Sequence, residues 1–151
     1  MTDAAARPPL HRPLEMSDGD AELMDAACAL LKRVYVEGRH EVVAAMRLAD
    51  GSIQLGVHVD GSARRSAVCA EGVAAGNAIA HAADGSPMAV VSIVSVLRRA
   101  EGTLHIIEPC GVCAELITDY WPEARVWVTA ADRLTAVAAT ELLPAKRLRR
   151  W

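Results

Sequence analysis

Two short segments, Cys69-Ala70-Glu71 and Pro109-Cys110-Gly111-Val112-Cys113, decide how this sequence is read. Together they offer three thiols, one ligand short of a closed structural zinc site, so a tetrahedral metal held here keeps its fourth position open for water. Glu71 stands beside the first sulfur and serves better as a base on that water than as a fourth ligand. An open metal position next to a carboxylate points to a hydrolytic centre. Two other readings exist for the cysteines. A redox Cys-x-x-Cys usually sits early in its domain, after a strand, which this one does not. A four-sulfur structural site would need Cys28, but Cys28 shares a helical apolar stripe with Leu23, Ala27, Leu30, Leu31 and Val34, where a free cysteine behaves as a small buried hydrophobe.

Composition sets the frame around these segments. The chain has 151 residues, 52% of them apolar, enough for one packed core. A net charge of −3 provides no broad basic surface for nucleic acid or membrane, which favours a small-molecule partner. Residues 1–16 contain no continuous apolar leader and no stretch is long enough to span a bilayer, so a cytoplasmic protein with reduced thiols is expected. There is no Phe, and only two Tyr and three Trp.

Along the chain, residues 1–18 hold Pro8, Pro9 and Pro13 and no periodic pattern, and are expected to form a flexible arm. A domain over residues 19–145 follows, then a basic tail, 146–151. Asp20 or Ser17 caps a first helix running to about Val36. Ala49-Asp50-Gly51-Ser52 joins two strands, 41–48 and 52–59, as an antiparallel hairpin. The Ala-rich run 68–83 has helical composition and small residues that permit close packing. Residues 87–97 are β-branched and read as a buried strand, a helix opens at Cys110 and stops at Trp121-Pro122, and 125–129 form a further strand. Residues 132–137 fit either a fifth strand or the start of a short helix toward Leu143. The expected architecture is α/β, a three-layer α/β/α domain around a five-stranded mixed sheet.

Both cysteine segments open helices, where unsatisfied N–H groups and the dipole's positive end stabilise thiolates. Three thiolates on Zn²⁺ leave a formal charge of −1, which works against acidification of a bound water, so something must offset it. A carboxylate in the position of Glu71 can take a proton from the attacking water and return it to the leaving group.

These residues resemble the cytidine deaminase family, in particular its small tetrameric branch, over about residues 23–144. The resemblance extends to Asp50-Gly51-Ser52-Ile53-Gln54-Leu55-Gly56 and to Glu141-Leu142-Leu143-Pro144. It implies zinc held by Cys69, Cys110 and Cys113, a proton shuttle at Glu71, a homotetramer or homodimer, and an aminopyrimidine nucleoside or related aminoheterocycle as substrate, with a non-catalytic zinc-binding or partner subunit as the alternative.

The substrate side departs from that pattern. Where the nucleoside enzymes carry Gly-x-Asn-x-Glu-Asn, this chain has Gly56-Val57-His58-Val59-Asp60-Gly61, and where they carry a Phe before Val-Gly-Ala-Ala, it has His40. His40, His58, Asp60 and Ala70 are therefore candidate substrate residues, although a His at a strand end is equally a hydrogen-bonded packing residue. The departures tilt the expected substrate away from plain ribonucleosides toward a modified-sugar or non-ribose compound. The family's arginine near the cysteine sulfurs is missing: positions 72, 112 and 114 hold Gly, Val and Ala. Arg64 or Arg65, entering Cys69, is the candidate replacement, with a solvated loop as the alternative. Trp151, closing a basic tail, is a candidate for stacking on a flat substrate, or part of a solvated tail.

Overall fold

A computed structural model describes residues 7–82 and 88–149, apart from the side chain of Arg64. Its organising element is β3 (Val90–Arg98), a buried strand with neighbours on both edges. On one edge β1 (Val42–Leu48) runs antiparallel to it, and β2 (Ile53–Val57) returns from β1 through a turn with Gly51 at φ +86°. The other edge is shared. β4 (Leu104–Ile106) pairs with residues 96–98, while β5 (Arg125–Ala130) pairs in parallel with residues 92–93, and Ser95 lies between the two pairings. β6 (Arg133–Ala138) closes the sheet antiparallel to β5. The main path β2-β1-β3-β5-β6 has the expected five strands, with β4 as a short sixth off β3.

Alternation along the strands makes the layers. Val43 and Ala45 of β1, with Val94 and Val96 of β3 and Trp127 of β5, meet Leu23, Ala27 and Leu31 of α1 (Asp18–Val34). Ala44, Met46 and Leu48, with Ile93 and Val126, meet Ala74 and Ala78 of α2 (Ala70–His81) and Ile117 of α3 (Gly111–Tyr120). The sheet is therefore hydrophobic on both faces and covered by helices on both. Cys28 packs beside the α1 cluster, and burial pushes its thiol up to about 11, as befits a core residue.

The α1 face holds one buried carboxylate. Asp20, 2% exposed, accepts hydrogen bonds from Ser92 Oγ (2.7 Å), Arg125 Nε (2.7 Å) and Trp127 Nε1 (2.9 Å). The cap of α1 is Ser17, whose Oγ accepts from the Asp20 amide. On the opposite face α2 comes very close to β2. A Cβ on Gly56 would fall 2.3 Å from both Ala70 O and Ala74 N, so only glycine lets the helix backbone settle there. The small residues of α2 serve this approach.

Residues 132–137 are a strand. Ala131 and Asp132, at φ +47° and +64°, make the two-residue turn between β5 and β6, and α4 (Ala139–Leu142) begins only after it. The segment expected to be a flexible arm is, from Arg7 on, laid against the domain. Leu10 N donates to Leu104 O (2.8 Å), His105 Nδ1 donates to Pro8 O (3.0 Å), and Met16 is 2% exposed. At the other end Lys146 pairs with Asp119, whose Oδ1 also accepts from Arg149 N. Among the described residues, no helix is long and apolar enough to cross a membrane.

Candidate metal and active site

Two helix N-termini meet at the gap that β4 and β5 leave on the edge of β3. Cys69 is the N-cap of α2 and Cys110 the N-cap of α3, while Cys113 lies in the first turn of α3. The three sulfurs lie within 4.8 Å of one another, with Cys69 Sγ and Cys110 Sγ 3.6 Å apart. A tetrahedral zinc with Zn–S bonds near 2.3 Å requires sulfur–sulfur edges of about 3.8 Å, and soft thiolates are ligands zinc takes readily. The donor set fits zinc.

The thiols differ in their surroundings. Burial pushes Cys69 and Cys113 up; Cys110 and Glu71 add to this for both, while a bond from Cys113 opposes it at Cys69. Burial also acts on Cys110, but the backbone N–H groups of Cys113 and Val112, with the other two sulfurs, outweigh it and hold this thiol below its usual value. The start of α3 therefore favours the thiolate form of Cys110, and a bound cation would favour it for all three sulfurs.

Glu71, in the first turn of α2, is 4% exposed and accepts a hydrogen bond from Ser95 Oγ at 2.8 Å. Ser95 is itself 2% exposed and occupies the point on β3 where its neighbour changes from β5 to β4. Cys69, Cys110 and Glu71 line one cavity of about 220 Å³. A larger depression of about 370 Å³, beside Cys28, Lys32 and Arg98, holds none of these groups.

Of the expected substrate residues, Ala70 and His58 line the site cavity. The His58 Nδ1 atom is buried without a hydrogen-bond partner. His40 stands behind it: its Nδ1–H donates to the His58 carbonyl at 2.9 Å, and the cavity lining does not include it. Asp60 lines a separate depression with Gly38, Arg39 and Ser62. Arg64 and Arg65 form a 3-10 turn (Arg64–Ser66) before Cys69, where Arg65 is exposed. Among the described residues, Arg7 reaches the cavity indirectly, through its pair with Glu108, which lines it. Trp151 lies outside the described residues.

Ser95, Arg7, Glu41 and Glu108 are additions that the motifs do not announce. Ser95 had a signal: two serines, Ser92 and Ser95, interrupt a β-branched buried strand, and a buried hydroxyl requires a partner. Each has one, Asp20 on the α1 face and Glu71 on the α2 face.

Comparison with known proteins agrees with this geometry. The family described as "Cytidine and deoxycytidylate deaminase zinc-binding region" matches residues 17–129. The chain is 30% identical over 138 residues to the blasticidin-S deaminase of Bacillus cereus, covering 91% of this chain and 99% of that protein. Among solved structures, the cytidine deaminase of Bacillus anthracis is 25% identical with a TM-score of 0.68, over 84% of this chain and 88% of that one. The cytidine deaminase of Mycobacterium tuberculosis shares the fold at 20% identity and a TM-score of 0.65, over 86% and 97%.

Proposed function

The chain belongs to the cytidine and deoxycytidylate deaminase family, whose metal is zinc, and from that premise we propose that it hydrolyses the exocyclic C–NH₂ of an aminopyrimidine nucleoside to a carbonyl and ammonia, with a cytosine-nucleoside antibiotic of the blasticidin-S type or cytidine itself as substrate. One observation carries this: three sulfurs gathered at two helix N-termini, two of them, Cys69 and Cys110, lining a cavity together with a buried carboxylate that Ser95 holds by a hydrogen bond.

Cys69, Cys110 and Cys113 hold the metal. When bound, zinc supplies Lewis acidity and lowers the pKa of a coordinated water. The protein's own part is proton management. Glu71 accepts a proton from the attacking water and passes it to the ring nitrogen, then takes the remaining proton from the hydroxyl added at the ring carbon and gives it to the amine as the C–N bond breaks and the carbonyl forms. Ser95 holds one Glu71 oxygen, Oε1, and Glu71 itself lines the cavity. The helix N-termini offset the negative charge of the thiolates, each worth about 0.3–1 kcal/mol, more where buried. This supports catalysis in a chain that lacks the family's arginine at positions 72, 112 and 114.

The orphaned Nδ1 of His58 supports a role in substrate binding, since a buried polar atom without a partner costs about 1–3 kcal/mol that a bound ligand relieves. With His58 where the nucleoside enzymes carry Asn, the ligand group it meets differs from theirs, and the near full-length relative named for blasticidin-S makes that antibiotic the first compound to test. The test is ammonia release by the zinc-loaded protein over cytidine, deoxycytidine, blasticidin-S, adenosine and guanine. Turnover confined to cytosine compounds is expected; turnover of a purine alone would contradict the proposed substrate class.

A further inference from the structure

Arg7 lies far from both cysteine segments in sequence, yet its two terminal guanidinium nitrogens donate to Glu108, one to each carboxylate oxygen. Glu108 lines the metal cavity and leads through Pro109 into Cys110. The arm reaches this point along a track. Leu10 bonds to Leu104, Pro8 to His105, and Arg7 to Glu108, so the chain runs antiparallel past β4 toward the cavity. Met16, buried at the base, anchors the other end.

The pair is partly open to solvent, with side-chain exposures of 29% and 42%, so it contributes little to folding. Its consequence is electrostatic. Glu41 and Glu71 line the same cavity, and Glu108 would add a further carboxylate. A guanidinium bound through both nitrogens occupies both oxygens and cancels the charge, leaving no free carboxylate there for a ligand.

We propose that Arg7, delivered by the N-terminal arm, is a specificity determinant of the cavity: it neutralises Glu108 at the rim and so sets the charge of the nucleoside that is accepted. The inference rests on the deaminase reading of the site. With the pair intact, the rim is neutral at Glu108 and discriminates little by charge. Without Arg7 the freed carboxylate favours a cationic nucleoside, and without Glu108 the freed guanidinium favours an anionic one.

The experiment uses a charge series on one scaffold: 5′-amino-5′-deoxycytidine, cytidine and cytidine 5′-monophosphate, with kcat and KM measured for the zinc-loaded protein. Arg7→Gln should raise kcat/KM for the amino compound relative to cytidine by about five- to tenfold, through KM, the size of one charge contact partly open to water. Glu108→Gln should shift preference by a similar factor toward the monophosphate. The double variant should return both ratios to within about twofold of the parent, and Arg7→Lys should keep them. Both shifts should shrink at high salt. Unchanged ratios, or single variants that weaken all three nucleosides equally, overturn the proposal and leave Arg7 a structural strap. The same ratios are read as dissociation constants by calorimetry on Glu71→Gln proteins. A shift there without ammonia release from the parent protein keeps the rim assignment and overturns the deaminase reading; no shift there overturns the rim assignment.

Discussion

Replacing Ser95 with Ala removes one hydroxyl from the core and separates positioning from folding when set beside the same change at Ser92. Both serines lie on β3 and are 2% exposed or less, and each donates to one buried carboxylate, over 2.8 Å and 2.7 Å. They differ in the face they serve. Ser95 is the hydrogen-bond partner found for Glu71, whereas Asp20 keeps Arg125 and Trp127 after Ser92 is lost. A hydrogen bond to a charged group is worth about 1.5–3 kcal/mol. If that energy holds Glu71 in its working orientation, its loss lowers kcat about 10- to 150-fold. KM and zinc content should change little, because the Ser95 hydroxyl bonds to Glu71 and Ser95 is not among the residues lining the cavity. Ser92→Ala should lower stability by about 1.5–3 kcal/mol and leave kcat within about twofold of the parent. The assays are ammonia release under saturating substrate, zinc content by mass spectrometry and thermal unfolding. A Ser95→Ala protein with full zinc and kcat within twofold of the parent would refute the positioning of Glu71 by Ser95, as would an equal loss of kcat in Ser92→Ala.

Further changes test the scaffold. Gly56→Ala places a methyl 2.3 Å from backbone atoms of α2 that cannot step aside, so stability should fall by about 1–3 kcal/mol; because Cys69 and Glu71 ride on the displaced end, zinc affinity should fall with it in a chelator competition. Ala131→Gly should raise unfolding stability by about 0.5–1 kcal/mol in denaturant titration, since Ala131 sits at φ +47° and the relief of that strain exceeds the added freedom of the unfolded chain. Burial is the largest influence on Asp20 and pushes it up, but bonds from Arg125, Ser92 and Trp127 outweigh it and hold this carboxyl below its ordinary value. Its stabilisation is therefore complete above the unfolded-state pKa of about 3.9 and is lost as pH falls through the lower folded value. Asp20→Asn should cost about 1.5–3 kcal/mol at pH 7 and show a flatter loss of stability between about pH 5 and pH 3 than the parent, measured by urea unfolding across pH.

The parts legible in the sequence are those where local chemistry and tertiary demand agree. Ser17 and the apolar stripe of α1, the Asp50-Gly51 turn, and the cysteines that open α2 and α3 all sit within a residue or two of where the pattern puts them. β6 was ambiguous because its turn uses Ala131 and Asp132 at positive φ instead of glycine, so only pairing with β5 identifies the strand. β4 has three residues, too few for a period to emerge, and exists through its ladder to β3. Within the site, the sulfurs and Glu71 were legible because zinc chemistry fixes their spacing. Arg7 is not legible, and Ser95 announces only that a buried hydroxyl needs a partner, because the partners themselves are brought to them by the fold. Asp60 illustrates the converse: near His58 in sequence, it lines a different depression, with Gly38, Arg39 and Ser62.

The most direct test of a zinc site worked by a single proton-transferring carboxylate is a side-by-side measurement of metal content and ammonia release in the parent, Glu71→Gln and Cys113→Ser proteins. One zinc per chain is expected in the parent and in Glu71→Gln, with loss of activity by at least about 10²-fold in Glu71→Gln and loss of both metal and activity in Cys113→Ser. Deamination that survives in Glu71→Gln, or in a fully metal-free parent protein, would contradict this expectation.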